Sequence, residues 1–79
     1  METTTQAVTL ALLRRLVSDG STKRLRLRAR LSLADVGRAV GVDPSTVWAW
    51  EETGRLPRSD AALRYASLLG ELLEAGVAE

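Results

Sequence analysis

Apolar residues along the 79-residue chain recur at spacings of three and four, the period of helices. Ala7, Val8, Leu10, Ala11, Leu12, Leu13, Leu16 and Val17 form the first such group. Thr3-Thr4-Thr5-Gln6 precedes it with N-cap hydroxyls, Thr3 and Gln6 having the spacing of a capping box. Ser18-Asp19-Gly20-Ser21 ends it, Gly20 having the character of a C′ residue. Apolar side chains cover more than half of the circumference of this helix, which predicts burial on two sides.

Residues 22–31 fit two periods. Arg24-Leu25-Arg26-Leu27-Arg28-Ala29-Arg30-Leu31 alternates like a strand, yet Leu25/Ala29 and Leu27/Leu31 are also i, i+4 pairs. Arg, Leu and Ala favour helix, and the chain offers no second strand to pair with this one, so a helix is expected. Ser32-Leu33-Ala34-Asp35 then opens a short helix with a capping box, and Leu33, Val36, Gly37 and Val40 share its apolar face. Gly41-Val42 is a turn. Asp43 as N-cap and Pro44 at the first helical position start the next helix, which Gly54 ends after about Thr53. Arg55-Leu56-Pro57-Arg58 reads as a loop, and Ser59-Asp60 caps a last helix running to about Ala75, with Gly76 just beyond. The expected fold class is therefore all-α: one domain over 1–79, a compact bundle of about five short helices with short connections.

Composition narrows the chemistry. Neither cysteine nor histidine occurs, which removes disulfides, thiolate and imidazole metal ligands and most nucleophile–base pairs. The carboxylates fall on helix faces and caps without forming a cleft constellation, so no catalytic residue, metal or cofactor is expected. Leu and Ala dominate the apolar set, and Ile and Phe are absent. No apolar stretch reaches the roughly 18 residues of a membrane span, and Arg14 and Arg15 interrupt residues 7–17. A soluble, cytoplasmic protein with no membrane partner is expected. Charge is segregated: residues 1–40 carry eight basic and three acidic groups, residues 41–79 three and seven. Five of the basic groups lie in Lys23-Arg24-Leu25-Arg26-Leu27-Arg28-Ala29-Arg30, either the mark of an anionic partner or a solvated helix face.

Residues 33–52 have the length and punctuation of a helix-turn-helix. Val36, Val40, Val42, Val47 and Trp50 fall where two crossed helices meet, Gly37 is small where they approach closely, and Gly41 can take the positive φ of the tight turn. Leu31-Ser32-Leu33-Ala34-Asp35-Val36 and Ser45-Thr46-Val47-Trp48-Ala49-Trp50-Glu51, with Pro57 seven residues after Trp50, resemble the lambda-repressor/Cro family of XRE-type regulators over residues 22–69. Two positions depart from it. The family usually has alanine at Gly37, a mild change, and often opens the first helix of the motif with glutamine, where this chain has Leu33. Residues 1–20, the extra N-terminal helix, have no counterpart in the family's minimal domain.

Projected at about 100° per residue, Pro44, Val47, Trp50 and Glu51 group toward the core, while Ser45, Ala49 and Glu52 lie opposite, flanked by Trp48 and Thr46. The resemblance implies that this outer face enters the major groove of double-stranded DNA. Ser45 and Ala49 are then the first expected base contacts, with Trp48 and Glu52 next and Thr46 at the edge. Trp48 could instead fill a crevice against the last helix, and Glu51 is expected to face inward as a hydrogen-bond acceptor or an ion-pair partner, an arginine being one candidate. Arg, Lys, Asn and Gln, the usual base readers, are absent from this helix, so side-chain specificity is expected to be modest. Expected phosphate contacts are Arg55 and Arg58 in the loop, Ser32 at a helix N-terminus, and Arg24, Arg26 and Arg28 as flanking groups.

The resemblance implies a sequence-specific transcriptional regulator. The chain's length leaves no room for a ligand-sensing or cleavage domain, which favours a Cro-like repressor, phage lysis–lysogeny control being one setting. A protein–protein adaptor or antitoxin-like module on the same fold is the alternative, kept open by the acidic second half. A homodimer is expected, at least on DNA, through the first helix, the last, or both. The last carries Leu68, Leu69, Leu72 and Leu73, which cannot all face one small core. The competing arrangement has these two helices packing on each other within one chain.

Overall fold

A computed structural model describes residues 2–55 and 59–76. Five helices follow one another: α1 Glu2–Ser18, α2 Ser21–Arg28, α3 Leu33–Val40, α4 Pro44–Thr53 and α5 Ser59–Glu74. No strand occurs among the described residues, so residues 22–31 resolve in favour of helix. That helix is shorter than the pattern suggested. It closes in a Schellman turn, with the Leu31 amide donating to the Arg26 carbonyl and the Arg30 amide to that of Leu27. Arg30 occupies the left-handed position (φ +59°) that glycine usually takes. At the other end of the chain, α1 already begins at Glu2, so Thr3 lies inside the helix instead of capping it.

Local chemistry sets the remaining boundaries. The Ser32 hydroxyl accepts from the Asp35 amide at 2.9 Å and the Asp35 carboxylate accepts from the Ser32 amide at 2.8 Å, completing the capping box of α3. These bonds hold the Asp35 carboxyl below its ordinary pKa. Asp43 accepts from the Ser45 amide at 2.9 Å to start α4, behind Pro44. Arg64 of α5 donates to the Val40 carbonyl at 2.6 Å, tying down the end of α3 beside Gly41.

The core draws on every helix: Leu13 and Val17 of α1, Leu25 of α2, Val36 and Val40 of α3, Val47 and Trp50 of α4, and Ala62, Tyr65 and Leu69 of α5. Helix α5 is the central post, packed on α1, α2 and α3. The rings of Trp50 and Tyr65 lie 4.8 Å apart and tilted by 39°, an aromatic contact that seats α4 on α5. The Tyr65 hydroxyl and Thr22 Oγ1 are buried, and neither completes a hydrogen bond among the described residues. Burial above all pushes the phenol pKa up, with the neighbouring Thr22 hydroxyl working against it.

Burial of α1 on two sides is not what the structure shows. Helices α1 and α5 pack on each other, burying Leu13, Val17 and Leu69 with Leu10 and Leu16 partly covered. Five helices supply no further layer outside α1, so Val8 (55 % exposed) and Leu12 (58 %) remain in solvent, as does Leu73 of α5 (45 %).

Candidate nucleic-acid interface

Helices α3 and α4 pack closely against each other across a tight turn. The Gly37 carbonyl accepts from the amides of both Gly41 (2.7 Å) and Val42 (2.9 Å), and Gly41 takes φ +86° to reverse the chain. A Cβ on Gly37 would stand 2.6 Å from the Val42 carbonyl oxygen. Alanine at this position is therefore not the mild change that the resemblance suggested. In this chain the turn is drawn in against the helix itself.

That turn projects α4 with one face packed and the other bare. Val47 and Trp50 are buried, and the Glu51 side chain is 1 % exposed. Pro44, grouped with them by projection, is exposed, because the first turn of α4 extends past the core. On the outer side Ser45 and Glu52 are exposed, Ala49 and Thr46 are half-buried, and Trp48 is 51 % exposed. Trp48 thus fills no crevice against α5. The Ser45 hydroxyl donates to Asp43 Oδ1 at 2.7 Å, leaving its oxygen as an acceptor toward solvent. These bonds keep the Asp43 carboxyl below its ordinary pKa.

The basic run does not form one patch. With Leu25 turned into the core, the helical period sends its charges to two flanks of α2. Lys23 and Arg26 turn toward α4, whereas Arg24 and Arg28 line a hollow with Leu16, Ser21 and Leu73 on the α1–α5 side. Arg26 is committed elsewhere than to phosphate: Nε and Nη2 fork onto Glu51 at 2.7 and 3.0 Å, and Nη1 donates to the Leu31 carbonyl at 3.0 Å. Arg26 is only 12 % exposed, and the bonds to Glu51 raise its pKa above the ordinary arginine value. Glu51 faces inward, as its helical position led one to expect, and the partner that it meets there is an arginine. Arg24 donates to the Asp19 carbonyl and to Ser21 Oγ, bracing the α1–α2 turn.

Ser32 stands at the N-terminus of α3, but its hydroxyl and amide are both engaged with Asp35, which in turn pairs with Arg38 at 2.7 Å. Arg55 is exposed just past the end of α4, and Arg58 lies outside the described residues. Two side chains escaped sequence reasoning. Lys23 reaches Glu52 with its Nζ at 2.7 Å, and Arg64 closes the end of α3. The adjacent Glu51 and Glu52 opposite an i, i+3 pair of cations were a usable signal for Lys23. Nothing local pointed to Arg64, since its partner is a backbone carbonyl 24 residues away.

A short helix, a drawn-in turn and a second helix packed on one face and bare on the other make this a helix-turn-helix protein. The description of the Helix-turn-helix domain family matches residues 23–78, and the chain belongs to that family. No curated protein and no solved structure matches it. The matched region starts in α2, so α1 stands outside it. No helix among the described residues is long and apolar enough to cross a membrane.

Proposed function

We propose that the protein is a sequence-specific double-stranded DNA-binding transcriptional regulator, a Cro-like repressor that lays the outer face of α4 in the major groove. The observation that carries this reading is the bare face of α4. Trp48 stands half in solvent there, beside Ser45 and Ala49, on a helix whose opposite face is locked into the core. Tryptophan, with an apolar body and a polar N–H, is enriched at interfaces, and its exposure on an otherwise anchored helix suits a surface that meets a partner. Ser45 is suited to accept from a base-edge amino group, and the Ala49 methyl and Trp48 ring to meet thymine methyls or the sugar edge. In this reading the exposed Arg55 holds a phosphate just beyond the helix, and the amides at the start of α3 hold another beside Ser32, Arg38 offsetting the Asp35 charge. Arg26 takes no part in phosphate contact, and Arg24 and Arg28 flank the other side of α2.

The regulator acts as a homodimer in this reading. A domain of 34 × 27 × 21 Å, abutting its copy, can set two α4 helices about 34–36 Å apart, one turn of DNA. Selection of duplexes from a random pool, followed by gel shifts at about 50 and 200 mM salt, tests the proposal. A selected motif whose binding weakens steeply with salt is expected. Arg55→Ala is expected to weaken all duplexes alike and to flatten the slope of log K against log salt by about 0.9. Absence of any enriched motif together with salt-insensitive binding would overturn it.

A further inference from the structure

Glu52 is the one acidic side chain on the outward half of α4, and DNA laid there would bring phosphates and base edges against it. A bare carboxylate at that place repels phosphate and accepts from cytosine N4. In the structure it is not bare: Lys23 Nζ lies 2.7 Å from Glu52 Oε2, both side chains remaining partly exposed (45 % and 36 %). The contact follows from its neighbour. The buried Arg26–Glu51 fork, one turn along α2 and one residue along α4, fixes the register of the two helices and sets Lys23 opposite Glu52. Lys23 is also the chain's single lysine, a compact charge on a flexible stem that can follow one carboxylate oxygen without the planar geometry of arginine.

We propose that Lys23 is a positioning residue of the DNA-binding face: it neutralises Glu52 and holds its carboxylate on α2, so that α4 presents Ser45, Trp48 and Ala49 to the groove without an opposing negative charge. This rests on the DNA-binding reading above. Its distinguishing feature is that the contribution of Lys23 to DNA affinity passes through Glu52 instead of through a phosphate of its own.

A double-mutant cycle separates the two. Wild type, Lys23→Gln, Glu52→Gln and the double variant are titrated against the selected duplex at about 50 mM salt, with thermal melts of each protein alongside. Lys23→Gln is expected to weaken binding about tenfold in the wild-type background and threefold or less in the Glu52→Gln background, a coupling within the range for residues in contact. The melting temperatures should differ little, since an exposed pair contributes little to folding. Equal losses in both backgrounds would overturn the inference and make Lys23 an independent phosphate contact, leaving the DNA reading standing. Failure of the wild type to bind any duplex would overturn the functional reading and this inference together.

Discussion

The guanidinium of Arg26 forks onto the carboxylate of Glu51, Nε to Oε2 at 2.7 Å and Nη2 to Oε1 at 3.0 Å, and thereby joins α2 to the inner face of α4. Removing one partner of such a buried pair strands the other without water, at a cost of about 3–5 kcal/mol. A single core of this size supplies about as much in total. Glu51→Ala is therefore expected to leave the chain largely unfolded at 37 °C, as measured by circular dichroism through a urea titration. Replacing both partners by apolar residues, Arg26→Met with Glu51→Leu, should recover most of the loss. A Glu51→Ala protein within 1 kcal/mol of wild type would show that the fork does not hold α4.

Gly37 gives a sharper test of the turn. An alanine methyl there must displace the Val42 carbonyl, which stands 2.6 Å from its position, and with it the double hydrogen bond that Gly37 accepts from Gly41 and Val42. Overpacking of this kind costs about 1–3 kcal/mol, a fall in melting temperature of at least about 4 °C. Gly37→Ala should lose DNA affinity as well, because α4 pivots on this turn. An unchanged melting temperature would mean that the turn relaxes freely.

Arg30 points the other way. It is the one non-glycine residue of positive φ among those described, at the C′ position of the Schellman turn, and its side chain is exposed. The left-handed conformation costs an ordinary residue roughly 1–2 kcal/mol, part of which glycine returns through its freer unfolded chain. Arg30→Gly is expected to raise stability by about 0.5 kcal/mol or more, seen as a higher melting temperature. A lower one would show that the Arg30 side chain makes a stabilising contact.

These residues also show where sequence was informative. The ends of α3 and α4 were legible because their chemistry is local: Ser32 with Asp35, Asp43 with Pro44, and glycine at 41 and 54 act within a few residues of themselves. The outward face of α4 followed from the helical period once Val47 and Trp50 were taken as core. The basic run was not legible in the same way. Its division into a Lys23/Arg26 flank and an Arg24/Arg28 flank depends on which side of α2 meets the core, and Leu25 and Leu27 offered two choices. The core took Leu25 and left Leu27 55 % exposed. The close approach at Gly37 depends on where the chain goes after the turn, which residue type alone does not specify. For α1, apolar coverage measured how much could be buried, whereas the number of neighbouring helices decided how much is.

What α1 leaves uncovered bears on assembly. Val8 and Leu12 lie one helical turn apart on its outer face, and Leu73 of α5 stands beside the shallow apolar groove where the two helices meet, floored by Leu13, Leu16 and Leu69. Nothing rises from Gly70 to fill that groove. Arg15 continues the α1 face past Leu12, and Glu74 follows Leu73 on α5, both exposed. In a two-fold pairing each copy presents both halves of this pattern, apolar stripe to apolar stripe with arginine toward glutamate. Leu12→Glu places a charge in the middle of the stripe at a side chain that is 58 % exposed and outside the buried core, so the fold should survive it. Sedimentation of wild type and Leu12→Glu, alone and with a two-half-site duplex, is expected to show a wild-type dimer and a monomeric variant. The variant should bind a single half-site about as well as wild type but lose the tight two-site complex, because the second copy no longer benefits from the first. A variant that dimerises like wild type would exclude the α1 stripe, and a companion Leu73→Glu protein would then ask whether α5 alone makes the contact.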